Sequence, residues 1–251
     1  MKIALLGYGK MGKIIEKIAT DRKHEIVLKI DYDNQDELTT ENLQQADVVI
    51  EFTTPATVLN NMKQCFDAGV PVVVGTTGWY DNLQQVKQQC EQGKGTLLYA
   101  TNFSVGVNIF FHVNRILAKL MNNYPYYDVQ VEEIHHMQKL DSPSGTAITI
   151  AEGILENLDS KKGWVNVLTA DGGETADDNI KNDELLIESF RIDSVPGTHT
   201  VLYDSEVDMI EFKHTAHNRN GFALGAVLAA EWIKDKKGFH SVEDMFDFNS
   251  K

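Results

Sequence analysis

Lys2-Ile3-Ala4-Leu5-Leu6-Gly7-Tyr8-Gly9-Lys10-Met11-Gly12 runs from a short apolar stretch straight into glycines spaced GxGxxG. Residues 2–6 have the pattern of a buried strand, and Ile14, Ile15 and Ile18 continue as the apolar side of a helix. The glycines therefore fall in a strand-to-helix turn, where each has a physical task. Gly7 makes the tight turn, Gly9 lets a pyrophosphate approach the backbone, and Gly12 lets helix and strand pack closely. A lone GxGxxG is a weak signal, but here a second apolar run over 25–30 ends at Asp31, 19 residues beyond Gly12. A carboxylate at that point accepts hydrogen bonds from an adenine-ribose. Tyr32 and Asp33 follow, without an Arg or Lys to pair with a 2′-phosphate, so NADH is favoured over NADPH. The competing reading is a glycine turn needed only for packing.

Outward from this stretch the βα rhythm continues. Strands are expected at 47–52, 70–74 and 96–100, with a helix opened by Pro55 and closed by Gly69 and another over 79–92. Short strands alternating with helices predict a parallel sheet, whose ligands lie beyond the carboxyl ends of the strands. The loops at Gly7, Asp31, Thr53, Gly75 and Thr101 all fall at such ends, although GTTG (75–78) and TNFS (101–104) read equally well as ordinary turns. A long helix over 105–121 carries the chain out of this domain, and the rhythm then changes. A strand near 128–132, a helix over 146–158 and strands near 185–192, 198–203 and 207–214 predict an α+β domain with a mainly antiparallel sheet. The polar stretch 161–184 reads as a surface loop, and 221–234 as an apolar helix returning to the first domain. The expected fold is α/β: a Rossmann-type dinucleotide-binding domain (1–104 and 217–251) plus an α+β substrate-binding and oligomerisation domain (105–216).

The chemistry concentrates at 132–146, EEIHHMQKLDSPSGT. His135, His136 and Lys139 precede a helix opening in which Pro143 stands inside or ahead of the first turn and Ser144 or Thr146 caps it. With the N–H groups of that helix end at Gly145, these residues make a site for a carboxylated small molecule. The alternative is a histidine pair that only hydrogen-bonds in a turn. His214 and His217 have no third ligand nearby, so no metal site is expected. His199 reads as a satisfied polar residue in a strand. Arg219 reads as a substrate or domain-interface contact, or as an ordinary surface arginine.

Composition bounds the partners. The 251-residue chain has 42% hydrophobic and 24% charged residues and a mean hydropathy of -0.28, as in ordinary globular proteins. A net charge of -14 argues against nucleic acid and acidic membranes as partners, so an anionic ligand must be captured locally. No apolar run approaches the ~20 residues that span a bilayer. Cys65 and Cys90 lack CxxC spacing, which fits a reducing cytoplasm.

The segment EIHHMQKLDSPSGTA resembles the signature of the 4-hydroxy-tetrahydrodipicolinate reductase (dihydrodipicolinate reductase) family, and GYGKMG, EFTTP, GTTG, TNFSVGVN and HNRNGFALGA follow that family's order along nearly the whole chain. The resemblance implies NAD(P)H-dependent reduction of a cyclic dicarboxylate in lysine and diaminopimelate biosynthesis. It implies His135 as the acid/base residue, Lys139 as proton donor, and His136, Gly145 and Thr146 as substrate ligands, to which Ser144 and Arg219 are added as candidates. It also implies nucleotide contacts from Gly7, Tyr8, Gly9, Lys10, Met11, Gly12, Asp31, Gly75, Thr76, Thr77, Ala100, Thr101, Asn102 and Phe103, and commonly a homotetramer. Glu51 stands where Asp is common, Met137-Gln138 replace more basic residues, and Arg191-Ile192-Asp193 lacks a glycine often found there. Two other functions compete. A semialdehyde reductase would want a cysteine nucleophile in a site loop, and a dinucleotide-sensing regulator would leave the His-Lys segment without purpose.

Overall fold

In the computed structural model, which describes residues 1–170, 180–246 and 248, the chain divides into two compact units, Met1–Val105 with Asn220–Lys251, and Gly106–Arg219.

The apolar runs of the first unit form β1 (Lys2–Leu6), β2 (Glu25–Ile30), β3 (Val48–Glu51), β4 (Val72–Val74) and β5 (Thr96–Tyr99), joined late in the chain by β11 (Gly238–Ser241). The sheet order is β11-β5-β4-β3-β1-β2, with every pairing parallel. Because crossover helices cover both faces of a parallel sheet, its strands are apolar on both sides, and β3 and β4 are buried throughout. On one face α2 (Thr40–Leu43), α3 (Val58–Ala68) and α4 (Leu83–Glu91) pack Leu43, Met62 and Val86 against Leu6, Val49 and Leu97. On the other, α1 (Lys10–Asp21) and α7 (Asn220–Ile233) set Ile15, Ala223, Ala226 and Ala230 against Ile3, Leu5 and Ile50. The strand order turns around between β1 and β3, the switch point at which ligands of such sheets bind. Gly69 closes α3 at φ +71°, as its position predicts. The helix expected over 79–92 is a 3₁₀ turn, Tyr80–Asn82, followed by α4. β11 and α8 (Val242–Phe246) were not legible in the sequence.

The second unit holds β6 (Asp128–His135), β7 (Gly163–Ala170), β8 (Glu184–Arg191), β9 (Thr198–Asp204) and β10 (Met209–Thr215), in the order β10-β9-β6-β8-β7. Its sheet is mixed, which corrects the mainly antiparallel expectation: β10–β9 and β9–β6 are antiparallel, β6–β8 and β8–β7 parallel. The physical reason lies in the connections. A tight turn at 205–208 forces β9 and β10 antiparallel, whereas the route from β6 through α6 (Gly145–Leu155) is long enough for a crossover. The start of the expected 161–184 loop is strand β7, and the part over 171–179 lies outside the described residues. α5 (Val105–Met121) and α6 cover one sheet face, burying Phe110, Phe111, Ile150 and Ile154 against Val131, Ile187, Val201 and Tyr203.

Candidate active site

In the first unit the glycines separate by what surrounds them. Gly7 has φ +91°, and a Cβ there would stand 2.0 Å from the Phe52 carbonyl oxygen; a Cβ at Gly12 would stand 2.3 Å from the Gly7 oxygen. Both are required by packing. At Gly9 no atom lies within 4 Å of where a Cβ would be, and as N-cap of α1 it supplies no side-chain hydrogen bond. That open backbone at a helix N-terminus fits an approaching phosphate. A depression of about 440 Å³ is lined there by Gly9, Lys10, Met11, Gly12, Thr53, Gly75, Thr76 and Thr77, with Phe52 and Pro55. The GTTG loop is tied into it, since Thr53 N–H donates to Thr76 Oγ1 at 2.7 Å. Gly75 lies so close to Phe52 that a Cβ would fall 2.1 Å from the ring. Below the loop Glu51 is fully buried, accepting from Thr53 Oγ1 and from Asn61 Nδ2 at 3.1 Å. Burial pushes its carboxyl up, against the pull of those donors.

Other predicted nucleotide residues stand at strand ends without lining the depression. Tyr8 donates to Glu16, whose carboxylate also pairs with Lys29 at 2.6 Å. Asp31 is exposed just after β2, next to the point where Gly7 N–H donates to Ile30 O at 2.8 Å. Its Oδ1 accepts the Tyr32 N–H at 3.0 Å. Ala100, Asn102 and Phe103 are buried and Thr101 exposed in the loop after β5, where Asn102 Oδ1 accepts the Ser104 N–H at 2.8 Å.

In the second unit, strand register assembles a cluster around one carboxylate. Val129, Val131, Glu133 and His135 alternate on the inner side of β6; Glu133 lies opposite His199 of β9, and His135 opposite Arg191 of β8. Glu133 is wholly buried. It accepts the Ser144 N–H at 3.1 and 3.2 Å and the Ser189 hydroxyl at 2.8 Å. His135 Nδ1 is 3.5 Å away, His199 Nε2 3.6 Å and Arg191 Nη1 3.6 Å. Burial alone would raise the Glu133 carboxyl, but hydrogen bonds from His199, Ser144 and Ser189 and the charge of His135 outweigh it and hold the group at about 2. His135 moves down to about 4, through burial first and then the positive charges of His199, Lys139 and Arg191, with Glu133 pulling the other way. At neutral pH the cluster therefore holds a carboxylate beside a neutral His135.

The loop that follows is held by the same arginine. Arg191 Nη2 donates to Asp141 O at 2.7 Å and Nε to Lys139 O at 3.4 Å. Lys139 Nζ lies 2.9 Å from both carboxylate oxygens of Asp141, and although burial pulls the other way, the bond and charge of Lys139 keep that acid low. The Ser142–Pro143 peptide is cis. Ser144 is the N-cap of α6, its Oγ accepting the Ala147 N–H at 3.1 Å and lying 3.2 Å from His199 Nε2. Gly145 is exposed and Thr146 half-buried in the first turn of α6. The half-buried His136 has an enclosed Nδ1 without a hydrogen bond among the described residues.

Lys139, His135 and the helix opening are thus gathered by one network, while Arg219 is exposed in the turn before α7, outside those contacts. Sequence reasoning missed Glu133 and Arg191 and undervalued His199. The one available signal was Glu133 falling in phase with Val129 and Val131, a charge on an apolar side. Glu133, His135 and His199 bring ligand-type atoms within 4.8 Å of one another. Ser144 and Ser189 already occupy the carboxylate, and a guanidinium stands beside it, so the surroundings suit an anion better than a cation. His214, half-buried, meets the Phe110 ring edge-on at 6.3 Å. Cys65 and Cys90 are both buried, and burial pushes the Cys90 thiol up to about 11. Neither is poised as a nucleophile, which removes the main requirement of the semialdehyde alternative.

Comparison with known proteins agrees over the full length. Residues 1–103 match the family described as "Dihydrodipicolinate reductase, N-terminus" and residues 106–246 the one described as "Dihydrodipicolinate reductase, C-terminus". The chain is 47% identical to a 4-hydroxy-tetrahydrodipicolinate reductase of Christiangramia forsetii, covering 98% of this chain and 97% of the relative. It is 30% identical to the enzyme of the same name from Neisseria meningitidis, covering 100% and 99%. Among solved structures it resembles a dipicolinate-bound dihydrodipicolinate reductase from Paenisporosarcina sp. TG-14 with a TM-score of 0.74 at 25% identity, over 96% and 97% of the two chains. An amine dehydrogenase from Mycobacterium smegmatis shares the fold at a TM-score of 0.62 and 11% identity, over 97% and 95%. With both halves matched in order and nearly every residue aligned, the chain belongs to the dihydrodipicolinate reductase family.

Proposed function

We propose that the chain reduces 4-hydroxy-tetrahydrodipicolinate to tetrahydrodipicolinate with NAD(P)H, in lysine and diaminopimelate biosynthesis. Beyond family membership, the observation that carries this reading is the 135–146 network: an ammonium, a guanidinium and a helix opening around a neutral imidazole, in a chain otherwise strongly acidic. A cyclic dicarboxylate is the ligand such a group of cations and amides selects. Dipicolinate, in the Paenisporosarcina relative, is a ligand of that class.

The glycine loop and the GTTG depression hold the dinucleotide, and the reduced nicotinamide supplies the hydride when bound. Loss of the 4-hydroxyl as water gives the conjugated imine, and hydride addition to that imine leaves a carbon that must be protonated, so the ring gains one hydride and one proton and releases one water. Lys139 is the proton source and His135 the relay, because the imidazole is neutral at working pH while the ammonium carries a proton to give. Gly145 and Thr146 at the start of α6 receive one carboxylate, and His136 and Lys139 the other. The test is a coupled assay in which the unstable imine is generated in situ. With NADH and NADPH run side by side, oxidation of either that depends on that generation supports the reading, and oxidation of neither removes it.

The coenzyme preference follows from Asp31. Its carboxylate repels a 2′-phosphate, and Lys29, the nearest cation along β2, is committed to Glu16. NADH is expected to give the higher kcat/KM, and Asp31→Ser to shift the NADPH/NADH ratio about tenfold towards NADPH, a change of ~1.4 kcal/mol. A tenfold preference for NADPH in the unaltered enzyme contradicts the assignment.

A homotetramer is the assembly this reading carries. The face of the second sheet turned away from α5 and α6 is half-buried at Gln130, Glu132, Leu186 and Phe190, and α5 leaves Ile109, Ile116 and Leu120 exposed, surface that association would cover. Sedimentation equilibrium should give four chains per particle; a monomer at micromolar concentration rejects it.

A further inference from the structure

Two neighbours of His135, Glu133 on its own strand and Gly197 just ahead of β9, have no part in the reaction scheme above. On β6 Glu133 and His135 are two residues apart and so share a face. Nδ1 of the imidazole has no hydrogen bond among the described residues and looks across 3.5 Å to Glu133 Oε2. That carboxylate is fixed independently, by the Ser144 N–H and the Ser189 hydroxyl. The other edge of the ring has a different neighbour. Gly197, just ahead of β9, has φ +155°, and a Cβ there would stand 3.1 Å from His135 Nε2 and 3.3 Å from Cδ2. The backbone cannot drift away, because Gly197 O accepts the Ala216 N–H at 2.9 Å. One edge thus faces a carboxylate, and the other is kept clear by the absence of a side chain.

We propose that Glu133 is a positioning residue that holds the Nδ1–H edge of His135, so that Nε2, in the space Gly197 leaves, is the nitrogen that exchanges a proton with the substrate. The proposal rests on the function read above and names the acting atom within it. Which ring nitrogen carries the proton is set by what the other one meets. A fixed anion at Nδ1 keeps the proton there in the neutral ring, leaving a lone pair on Nε2. When Nε2 takes up a proton the same anion faces the resulting imidazolium, so the relay is stabilised in both states. The groups acting on this imidazole are Glu133 on its own strand, Arg191 on β8, His199 on β9 and Lys139 in the following loop; His214 on β10 adjoins through its interaction with His199. Of these only Glu133 favours the charged ring.

The experiment compares Glu133→Gln, Glu133→Asp and Gly197→Ala in the full-length enzyme, with substrate generated in situ and NADH binding followed by fluorescence titration. The His135 ionisation is identified as the limb of the pH–rate profile that vanishes in His135→Gln. Glu133→Gln keeps the shape and the acceptor for Ser144, but removes the charge. It is expected to lower kcat by about 10²-fold, leave NADH binding unchanged, and move that limb about one unit to lower pH. Glu133→Asp keeps the charge, and is expected to recover part of kcat with the limb near its original place. Gly197→Ala is expected to lower kcat at least about tenfold by crowding Nε2. A Glu133→Gln enzyme whose limb does not move overturns the proposal, whatever its rate, because a merely structural role would slow the enzyme without shifting the profile. If that variant does not fold, Gly197→Ala decides, and wild-type kcat there overturns the assignment to Nε2. Failure of the unaltered enzyme to oxidise either NADH or NADPH with the substrate is a separate result, and it removes the functional reading itself.

Discussion

Lys139→Ala and His135→Gln are each expected to lower kcat by ~10²-fold or more while leaving NADH affinity within about twofold. The size follows from what each removes. Lys139 holds the proton to be given, and its loss also leaves Asp141, now within 2.9 Å of the ammonium, as an unpaired carboxylate facing an anionic substrate. Lys139→Ala should therefore raise KM as well as lower kcat. The double variant Lys139→Ala/Asp141→Ala separates the two effects: KM should recover and kcat should not. His135→Gln removes a neutral relay rather than a charge, so its loss should fall on kcat with KM little changed. Because the two act on one proton, combining them should cost hardly more than the worse single change. NADH affinity is the control, since the glycine loop and the GTTG depression belong to the other unit. Wild-type kcat in both single variants would remove the assignment.

What the sequence made legible were the features that local chain geometry enforces. The VVIEF and VVVG runs are short, apolar and rich in β-branched residues, as buried strands are, and their alternation with helices made the sheet parallel; Gly69 marks the end of α3, and the SPSG opening of α6 is capped by a serine the motif itself supplies. Strand β7 was lost because residues 163–168 mix exposed and half-buried positions at the sheet edge, and β11 because GFHS is half-buried throughout. The parallel half of the second sheet was hidden because it depends on a crossover through α6, and strand composition does not encode direction. In the candidate site the division is the same. His135, His136, Lys139 and Ser144 are near in sequence and were visible as a group. Arg191 and His199 reach them only through the register of β8 and β9 on either side of β6, a relation that one sequence read in order does not contain. Glu133 was readable in principle, because a carboxylate in phase with Val129 and Val131 must either be a misplaced charge or have partners waiting inside. It has hydrogen bonds from Ser144 and Ser189 and the nitrogens of His135, Arg191 and His199 within 3.6 Å.

Gly225→Ala is expected to destabilise the protein by ~2 kcal/mol or more and lower its melting temperature by several degrees, against the sign that helix propensity alone would give. Inside a helix, alanine in place of glycine ordinarily gains about 0.5–1 kcal/mol, and Gly225 is a buried position in the middle of α7. Here a methyl group would stand 1.6 Å from the carbonyl oxygen of Phe103 and 2.6 Å from its carbonyl carbon. Both are backbone atoms of a residue only 2% exposed, whose ring packs against Phe52 at 5.9 Å, so neither helix nor loop can yield by rotating a side chain. The displacement would fall on residues 100–103, at the carboxyl end of β5, and weaker NADH binding should accompany the loss of stability. Gly153→Ala is the matched control. That glycine is likewise inside a helix, but its methyl group would meet the flexible Arg115 side chain at 3.2 Å, which can move aside, so propensity should win and the melting temperature hold or rise. If both variants melt at or above the parent, α7 does not lie against the Phe103 backbone as closely as described, and the glycine at 225 is then a matter of helix composition rather than of access to the sheet.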